Sequence, residues 1–429
     1  MSDPSASRSR RRPWWLWALP GRVPPEVDDK ALRLLGAVAL ALLFEEYDLA
    51  IVTAALKQIS AGLGLAEERL ALDLALIRLG VIPAFFLLPF ADRIGRRPVF
   101  LASVMGMGLF TFATAFCQNG PQFVVLQALT RACFVTGSAT AFVIMAEELP
   151  AQHRGWGMGV LAALGACGHG LGAAVFSQID RLPFGWRSLY ALGIVPVVML
   201  GFFLKRVPET KRFSDQARER AAEPALAWFA PLGALATTHP WRVSALATSG
   251  LALALATLPS FQLSGYYVQT AFGFSPGQYS LLVIVGGAVG IMGNLVGGRL
   301  GDALGRKRVG FALLASFPLM CFAFYRGGAT TATVAWAGLV FCFMGGRLIL
   351  RALSIELFPT PQRAAAAGVF SFAEAIGAVL GLFALYVFRV RDAEDLAVVI
   401  PSVACVTVIA ALLVLVFPET RNRELEDIS

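Results

Sequence analysis

Long apolar runs alternate with short polar breaks along this chain, and the runs fall in one length class. A helix that crosses a bilayer needs about 20 mostly apolar residues. Runs of that kind lie at 32–56, 71–91, 99–118, 121–147, 156–178 and 188–205, and again at 241–268, 277–298, 309–325, 332–355, 364–388 and 396–417. The pattern predicts an all-α integral membrane fold of twelve spans. The break between the third and fourth runs is thin, resting on Gln118, Asn119, Gly120 and Pro121. The longest polar stretch, 206–240, separates two bundles of six helices, 32–205 and 241–417, and its segment SDQARERAAEPALAWFAPL reads as an amphipathic helix lying on the membrane surface. A basic tail at 1–31 and a short tail at 418–429 complete the division.

Composition agrees with this pattern. The 429 residues are 57% hydrophobic and only 15% charged, against about 25% charged in ordinary soluble chains, so much of the surface must face something other than water. The net charge of +8 then has to be read by position. With both termini placed in the cytoplasm, 25 Lys and Arg fall on that side and 7 on the other, with Arg78, Arg131, Arg347 and Arg351 inside spans. That bias fixes the orientation by the positive-inside rule and removes the charge as a nucleic-acid signature. The tail joins Arg8, Arg10, Arg11 and Arg12 to Trp14, Trp15 and Trp17, a segment suited to the cytoplasmic membrane surface rather than to a signal peptide. The six cysteines are scattered with no metal-ligand or redox spacing.

The two halves repeat each other. Asp92, Gly95, Arg96 and Arg97 recur 210 residues later as Asp302, Gly305, Arg306 and Lys307. Glu147, Pro150 and Arg154 recur 209 later as Glu356, Pro359 and Arg363, and Pro208, Glu209 and Thr210 recur 210 later as Pro418, Glu419 and Thr420. A parallel repeat of six spans is an architecture of secondary transporters, with the substrate site between the halves near the bilayer midplane.

These residues carry a family resemblance. FADRIGRRP and GGRLGDALGRKR resemble the signature loops of the major facilitator superfamily, and EELPAQHRG and ELFPTPQRA resemble its ExxPxxxR loops. VPETKRF and FPETRNRELEDIS are similar to segments that close each half in the sugar-porter branch. LLFEEYDLAIVTAAL resembles the first span both of that branch and of the aromatic-acid and other metabolite:proton symporters. FQLSGYY, at 261–267, resembles the sugar porters' seventh-span motif without its first Gln, and Gln127 stands where the fourth span usually has Arg, with Arg131 one turn on. The resemblance implies a cytoplasmic gate of Asp92, Arg96, Glu147 and Arg154 with Asp302, Arg306, Glu356 and Arg363, whose ion pairs tie spans together when the transporter faces outward. It also implies that Asp48 takes up and releases a driving proton.

Charges inside spans cost about 2.5–3.5 kcal/mol each on insertion scales and usually face the bundle interior. Glu45, Glu46, Asp48 and Glu374 stand against Arg78, Arg131, Arg347 and Arg351. At 1.5 Å per residue, Asp48 and Arg78 lie at matching depths, as do Glu374 and Arg347. A carboxylate that alternates between a desolvated setting and an arginine partner moves a proton, with Arg131 or Arg78 as the partner of Asp48 and Glu45 beside it. The other reading is a permanent ion pair that only holds helices together. Glu45 and Glu46 point about 100° apart, so one of them lies against a neighbouring helix. Arg347 and Arg351 share a face and suit a carboxylate or phosphate, which favours an anionic metabolite over a neutral sugar. Gln127, Gln262, Tyr266 and Glu374 join Arg347 as candidate substrate contacts. His169 is either a proton relay or a packed neutral imidazole.

The pairs Gly168 and Gly172, Gly286 and Gly290, Gly293 and Gly297, and Gly377 and Gly381 follow the GxxxG spacing of close helix contact. No strand precedes them, no Walker loop, metal cluster or nucleophile triad is visible, and no cofactor is implied. The expectation is a monomeric, proton-coupled importer of a small organic anion, multi-pass in a cell (inner) membrane with both termini cytoplasmic, and not an enzyme. A sugar porter and a proton-driven exporter are the alternatives within that class. A non-transporting receptor or sensor is the alternative outside it.

Overall fold

The computed structural model describes residues 13–16, 23–84, 94–209, 235, 237–359 and 362–421. Among these, the chain is helical throughout, with no strand. The helices are α1 (Asp29–Ala54), α2 (Leu56–Leu63), α3 (Glu67–Leu79), α4 (Arg96–Thr114), α5 (Gly120–Glu148), α6 (Arg154–Phe176), α7 (Trp186–Ala191), α8 (Ile194–Val198) and α9 (Leu200–Arg206). They continue with α10 (Pro240–Gln262), α11 (Ser264–Ala271), α12 (Pro276–Leu304), α13 (Arg306–Arg326), α14 (Ala329–Glu356), α15 (Arg363–Val387), α16 (Ala393–Ala404) and α17 (Thr407–Val416). The surface helix expected within 206–240, the arginines and Trp17 of the N-terminal tail, and Asp92 lie outside the described residues.

Among the described residues, ten stretches are long and apolar enough to cross a bilayer. The two expected spans missing from that set have identifiable reasons. Helix α1 is 26 residues long but carries Glu45, Glu46 and Asp48 near its centre, and the second expected span runs from α3 into 85–93, outside the described residues. Three spans are jointed rather than straight. The stretch Trp186–Arg206 is divided into α7, α8 and α9 near Gly193, Pro196 and Gly201, Pro240–Ala271 bends after Pro259 into α10 and α11, and Ala393–Val416 bends after Pro401 into α16 and α17. Proline removes a backbone donor and crowds the preceding turn, so kinks gather there.

Local sequence sets the helix ends. Asp28 Oδ1 accepts from the Ala31 N–H at 2.7 Å, Asn119 Oδ1 from Gln122 at 3.0 Å and Asp392 Oδ1 from Asp395 at 2.8 Å. Ser275 and Gln278 form a reciprocal capping box ahead of α12. Each cap contributes about 1 kcal/mol. The thin break at 118–120 is therefore a true helix boundary, with Pro121 in the first turn of α5.

Packing follows the glycine spacing. Helix α1 lies on α6, and α10 on α15. Cβ atoms at Gly168 and Gly377 would collide with the backbone carbonyl oxygens of Leu43 and Leu251, so only glycine admits these approaches. Helices α4 and α5 pair, as do α13 and α14, while α3 rests on α5 and α12 on α14. On α12, Gly286, Gly290, Gly293 and Gly297 face Trp336, Val340, Phe341 and Gly345 of α14. Between the stretches before and after the central segment, α3 packs on α15 and α6 on α12.

Candidate functional site

Three neighbouring residues of α1 point to three surroundings. Glu45 is fully buried, and neither carboxyl oxygen has a hydrogen-bond partner among the described residues. It fits against Gly137 of α5, where a Cβ would come within 2.6 Å of its Oε1 and 3.2 Å of the Ser103 Cβ on α4. The Glu45 side chain, expected beside Asp48, thus enters the seam with α4 and α5. Glu46 turns toward α6, and its Oε2 lies 2.9 Å from His169 Nδ1. Asp48 is 7% exposed, and its Oδ1 accepts from Thr111 Oγ1 of α4 at 2.8 Å.

Asp48 lines a small, partly open cavity together with Leu74 and Arg78 of α3, Gln127, Arg131 and Phe134 of α5, and Gln262 of α10. The Arg131 guanidinium sits 4.6 Å from the centre of the Phe134 ring. It makes no hydrogen bond or ion pair within 4 Å among the described residues, and its Nε is buried without a partner. Glu46, Asp48 and Glu45 supply its surrounding negative field, from farther away. Gln127 is buried, with Nε2 donating to Thr114 Oγ1 at 3.2 Å.

Arg78 is not the partner of Asp48. Its Nη2 donates to Gln262 Oε1 at 2.7 Å, and Gln262 Nε2 donates to Thr53 Oγ1 at 3.0 Å. This bridge crosses from α3 to α10 to α1 and occupies both ends of the Gln262 amide. Tyr266, expected at the substrate, lies beyond the bridge, where its hydroxyl donates to Glu67 Oε1 at 2.7 Å. Further contacts join the two helix sets at the same end. Lys57 Nζ donates to the Gln269 carbonyl at 2.7 Å, Gln58 Nε2 to Gln269 Oε1 at 2.8 Å and Ser280 Oγ to the Ala173 carbonyl at 2.6 Å. Arg391 Nε and Glu68 Oε1 are 3.4 Å apart.

The second charged cluster also forms. Arg347 Nε and Nη2 donate to Glu374 Oε1 and Oε2 at 2.6 and 3.0 Å, a forked pair between α14 and α15, and Arg351 Nη2 lies 3.8 Å from Oε2. Arg347 is thereby engaged by protein rather than left open to an anion.

At the end carrying the arginine-rich loops, Arg96 Nη2 meets Glu147 Oε1 at 3.1 Å, and Arg306 Nη2 meets Glu356 Oε1 at 2.8 Å and Asp302 Oδ1 at 3.5 Å. Each pair lies within one set of helices. Arg154 is exposed and in no ion pair among the described residues, and Arg363 Nε donates to the Phe358 carbonyl at 3.2 Å. Neither joins the pairs of Arg96 and Arg306. Each sits in the opening turn of its helix, on the far side of the loop from the glutamate. Sequence reasoning missed the clamp above these pairs. Glu209 Oε1 accepts from the N–H groups of Arg96 and Arg97 at 3.0 and 3.3 Å, and Glu419 accepts from those of Arg306 and Lys307 at 2.9 and 3.3 Å. Their recurrence at one offset was the available signal. Thr111, Phe134 and the Glu46–His169 pair were also missed as site elements; a single Thr or Phe in an apolar run carries no such signal.

Known proteins share this organisation. Residues 38–382 match the Major Facilitator Superfamily, and a second match covers 265–426. The gallate transporter of Pseudomonas putida is 30% identical over 197 residues, covering 45% of this chain and 43% of that protein. A 4-hydroxybenzoate transporter of Pseudomonas aeruginosa is 33% identical over 148 residues, 34% of this chain and 32% of that protein. The chain thus spans less than half the length of these relatives. The inward-open structure of the xylose transporter XylE from E. coli superposes with a TM-score of 0.73 at 19% identity, over 93% of this chain and 99% of that one. With the helical bundle, the ten membrane-length stretches and a match over most of its length, the chain belongs to the major facilitator superfamily of membrane transporters.

Proposed function

We propose that this protein is a proton-coupled importer of a small organic anion, favoured as an aromatic carboxylate, working by alternating access in twelve spans. The two stretches are read as parallel six-helix repeats, 32–205 and 241–417, joined by a cytoplasmic linker, with both termini on the cytoplasmic side of a cell (inner) membrane. Matched helix pairings and the twin glutamate clamps support that reading. The contacts joining the repeats gather at the end opposite the arginine-rich loops, so the molecule is read as open toward the cytoplasm.

One observation carries the substrate reading. Arg131 is a guanidinium in a cavity beside Asp48 and an aromatic ring, in no ion pair within 4 Å among the described residues. The carboxylates of Glu46, Asp48 and Glu45 act on it only from a distance, and an arriving carboxylate would pair with it directly by forked hydrogen bonds. The relatives named for gallate and 4-hydroxybenzoate point to the same class. Two anions beside one guanidinium repel, so an arriving carboxylate and a proton on Asp48 travel together. Gln262, engaged at both ends by Arg78 and Thr53, is not free to read a sugar. Arg347 and Glu374 hold α14 to α15 rather than the substrate.

The test is uptake of labelled 4-hydroxybenzoate and gallate into proteoliposomes. A pH jump should drive accumulation, and Asp48→Asn should abolish that accumulation while leaving counterflow exchange. Accumulation that survives Asp48→Asn would sink the coupling assignment.

A further inference from the structure

His169 and Glu46 form a hydrogen-bonded pair between α6 and α1, outside the cavity built around Asp48. The glycines of α6 make the pair possible. A Cβ at Gly168 would lie 2.9 Å from the Glu46 Cβ, and one at Gly165 would lie 3.9 Å from its Cγ. Only helices this close bring a short imidazole onto the glutamate of the facing helix.

The pair faces the gap between the two helix sets. His169 stands one turn before Ala173, whose carbonyl accepts from Ser280 of α12, and Phe176, a turn further on, meets the Tyr279 ring edge-on at 6.3 Å between centroids. Glu46 lies within the electrostatic reach of Arg131 on α5, Arg78 on α3 and Arg347 on α14, so its carboxylate sits among the central arginines. His169 remains 43% exposed after this packing and makes no second hydrogen bond among the described residues.

The chemistry of the pair is directional. An ionised Glu46 carboxylate only accepts, so Nδ1 of His169 donates to it. In the neutral ring the proton on Nδ1 leaves Nε2 with its lone pair outward. We infer that His169, oriented by Glu46, is a substrate subsite whose Nε2 accepts a hydrogen bond from a hydroxyl group on the transported anion. This rests on the carboxylate reading above and adds a selectivity to it. An analogue that lacks the hydroxyl forgoes this hydrogen bond, so the acceptor favours hydroxylated acids.

The experiment compares benzoate, 4-hydroxybenzoate and gallate in competition binding to the purified full chain, wild type beside His169→Ala and His169→Gln. Wild type should bind at least one hydroxylated acid about tenfold more tightly than benzoate. His169→Ala should bring that ratio to within about threefold, and His169→Gln, whose amide oxygen can take the place of Nε2, should retain more of it than the alanine. Size-exclusion profiles identify any variant that fails to fold, and the remaining variant then decides. A hydroxyl preference absent from wild type, or persisting unchanged in the variants, overturns the subsite alone. Failure of all three acids to bind wild type overturns the carboxylate reading and the subsite with it.

Discussion

The forked pair between Arg347 and Glu374 yields an ordering of stabilities that a simple count of lost contacts does not. At an effective dielectric of about 20, charges 4 Å apart attract by about 4 kcal/mol. Arg347 is 33% exposed and Glu374 11%, so water screens part of this, and we take about 2–3 kcal/mol for the loss of the glutamate. Glu374→Gln leaves two arginines one turn apart with no carboxylate between them. Arg347→Gln is milder, at about 1 kcal/mol, because Arg351 Nη2 already stands 3.8 Å from Glu374 Oε2 and can close on it. The double variant Arg347→Gln/Glu374→Gln leaves only Arg351, which is 54% exposed and can hydrate. It should therefore be more stable than Glu374→Gln alone, although it carries one more substitution. Thermal unfolding in detergent, followed by tryptophan fluorescence, gives the order directly. The reasoning is refuted if Arg347→Gln is as damaging as Glu374→Gln, or if the two losses add in the double variant.

Three other outcomes follow from the geometry. Glu209→Gln and Glu419→Gln should each cost about 1 kcal/mol and speed amide hydrogen exchange in the first turns of α4 and α13 to similar extents; protection unchanged at either helix argues against the clamp. Gly377→Val should force α15 off the Leu251 carbonyl and yield poorly monodisperse protein on size exclusion, whereas Gly170→Ala, with open space around it, should behave as wild type. Gln262→Ala removes the bridge from Arg78 to Thr53, and in a Val52→Cys background, where Val52 lines the Asp48 cavity, it should raise the labelling rate by a membrane-impermeant maleimide added from outside severalfold; an unchanged rate shows that the bridge does not seal that end.

What the sequence discloses here depends on whether a feature repeats. Apolar runs and the arginine-rich loops each recur along the sequence, so periodicity and a constant offset expose them before any coordinate does, and Arg96 meets Glu147 much as Arg306 meets Glu356. The pair of Arg347 with Glu374 follows from depth alone, since helical rise converts residue number into height. Height says nothing about azimuth, and azimuth is where the expectations diverge. Arg78 and Asp48 are expected at one height, yet the long Arg78 side chain reaches across to Gln262 of α10. Glu45, Glu46 and Asp48 are spaced to point in different directions, but which one meets a cavity is decided by the helices packed around α1. Gly137 leaves room for Glu45 on the α5 side. Gly168 draws α6 close enough to place His169 on Glu46, and Thr111 alone supplies a hydrogen bond where Asp48 emerges. Small residues on neighbouring helices, each unremarked in its own apolar run, therefore distribute three acids among three environments. The functional division of the EEYD segment is written in α4, α5 and α6 as much as in α1.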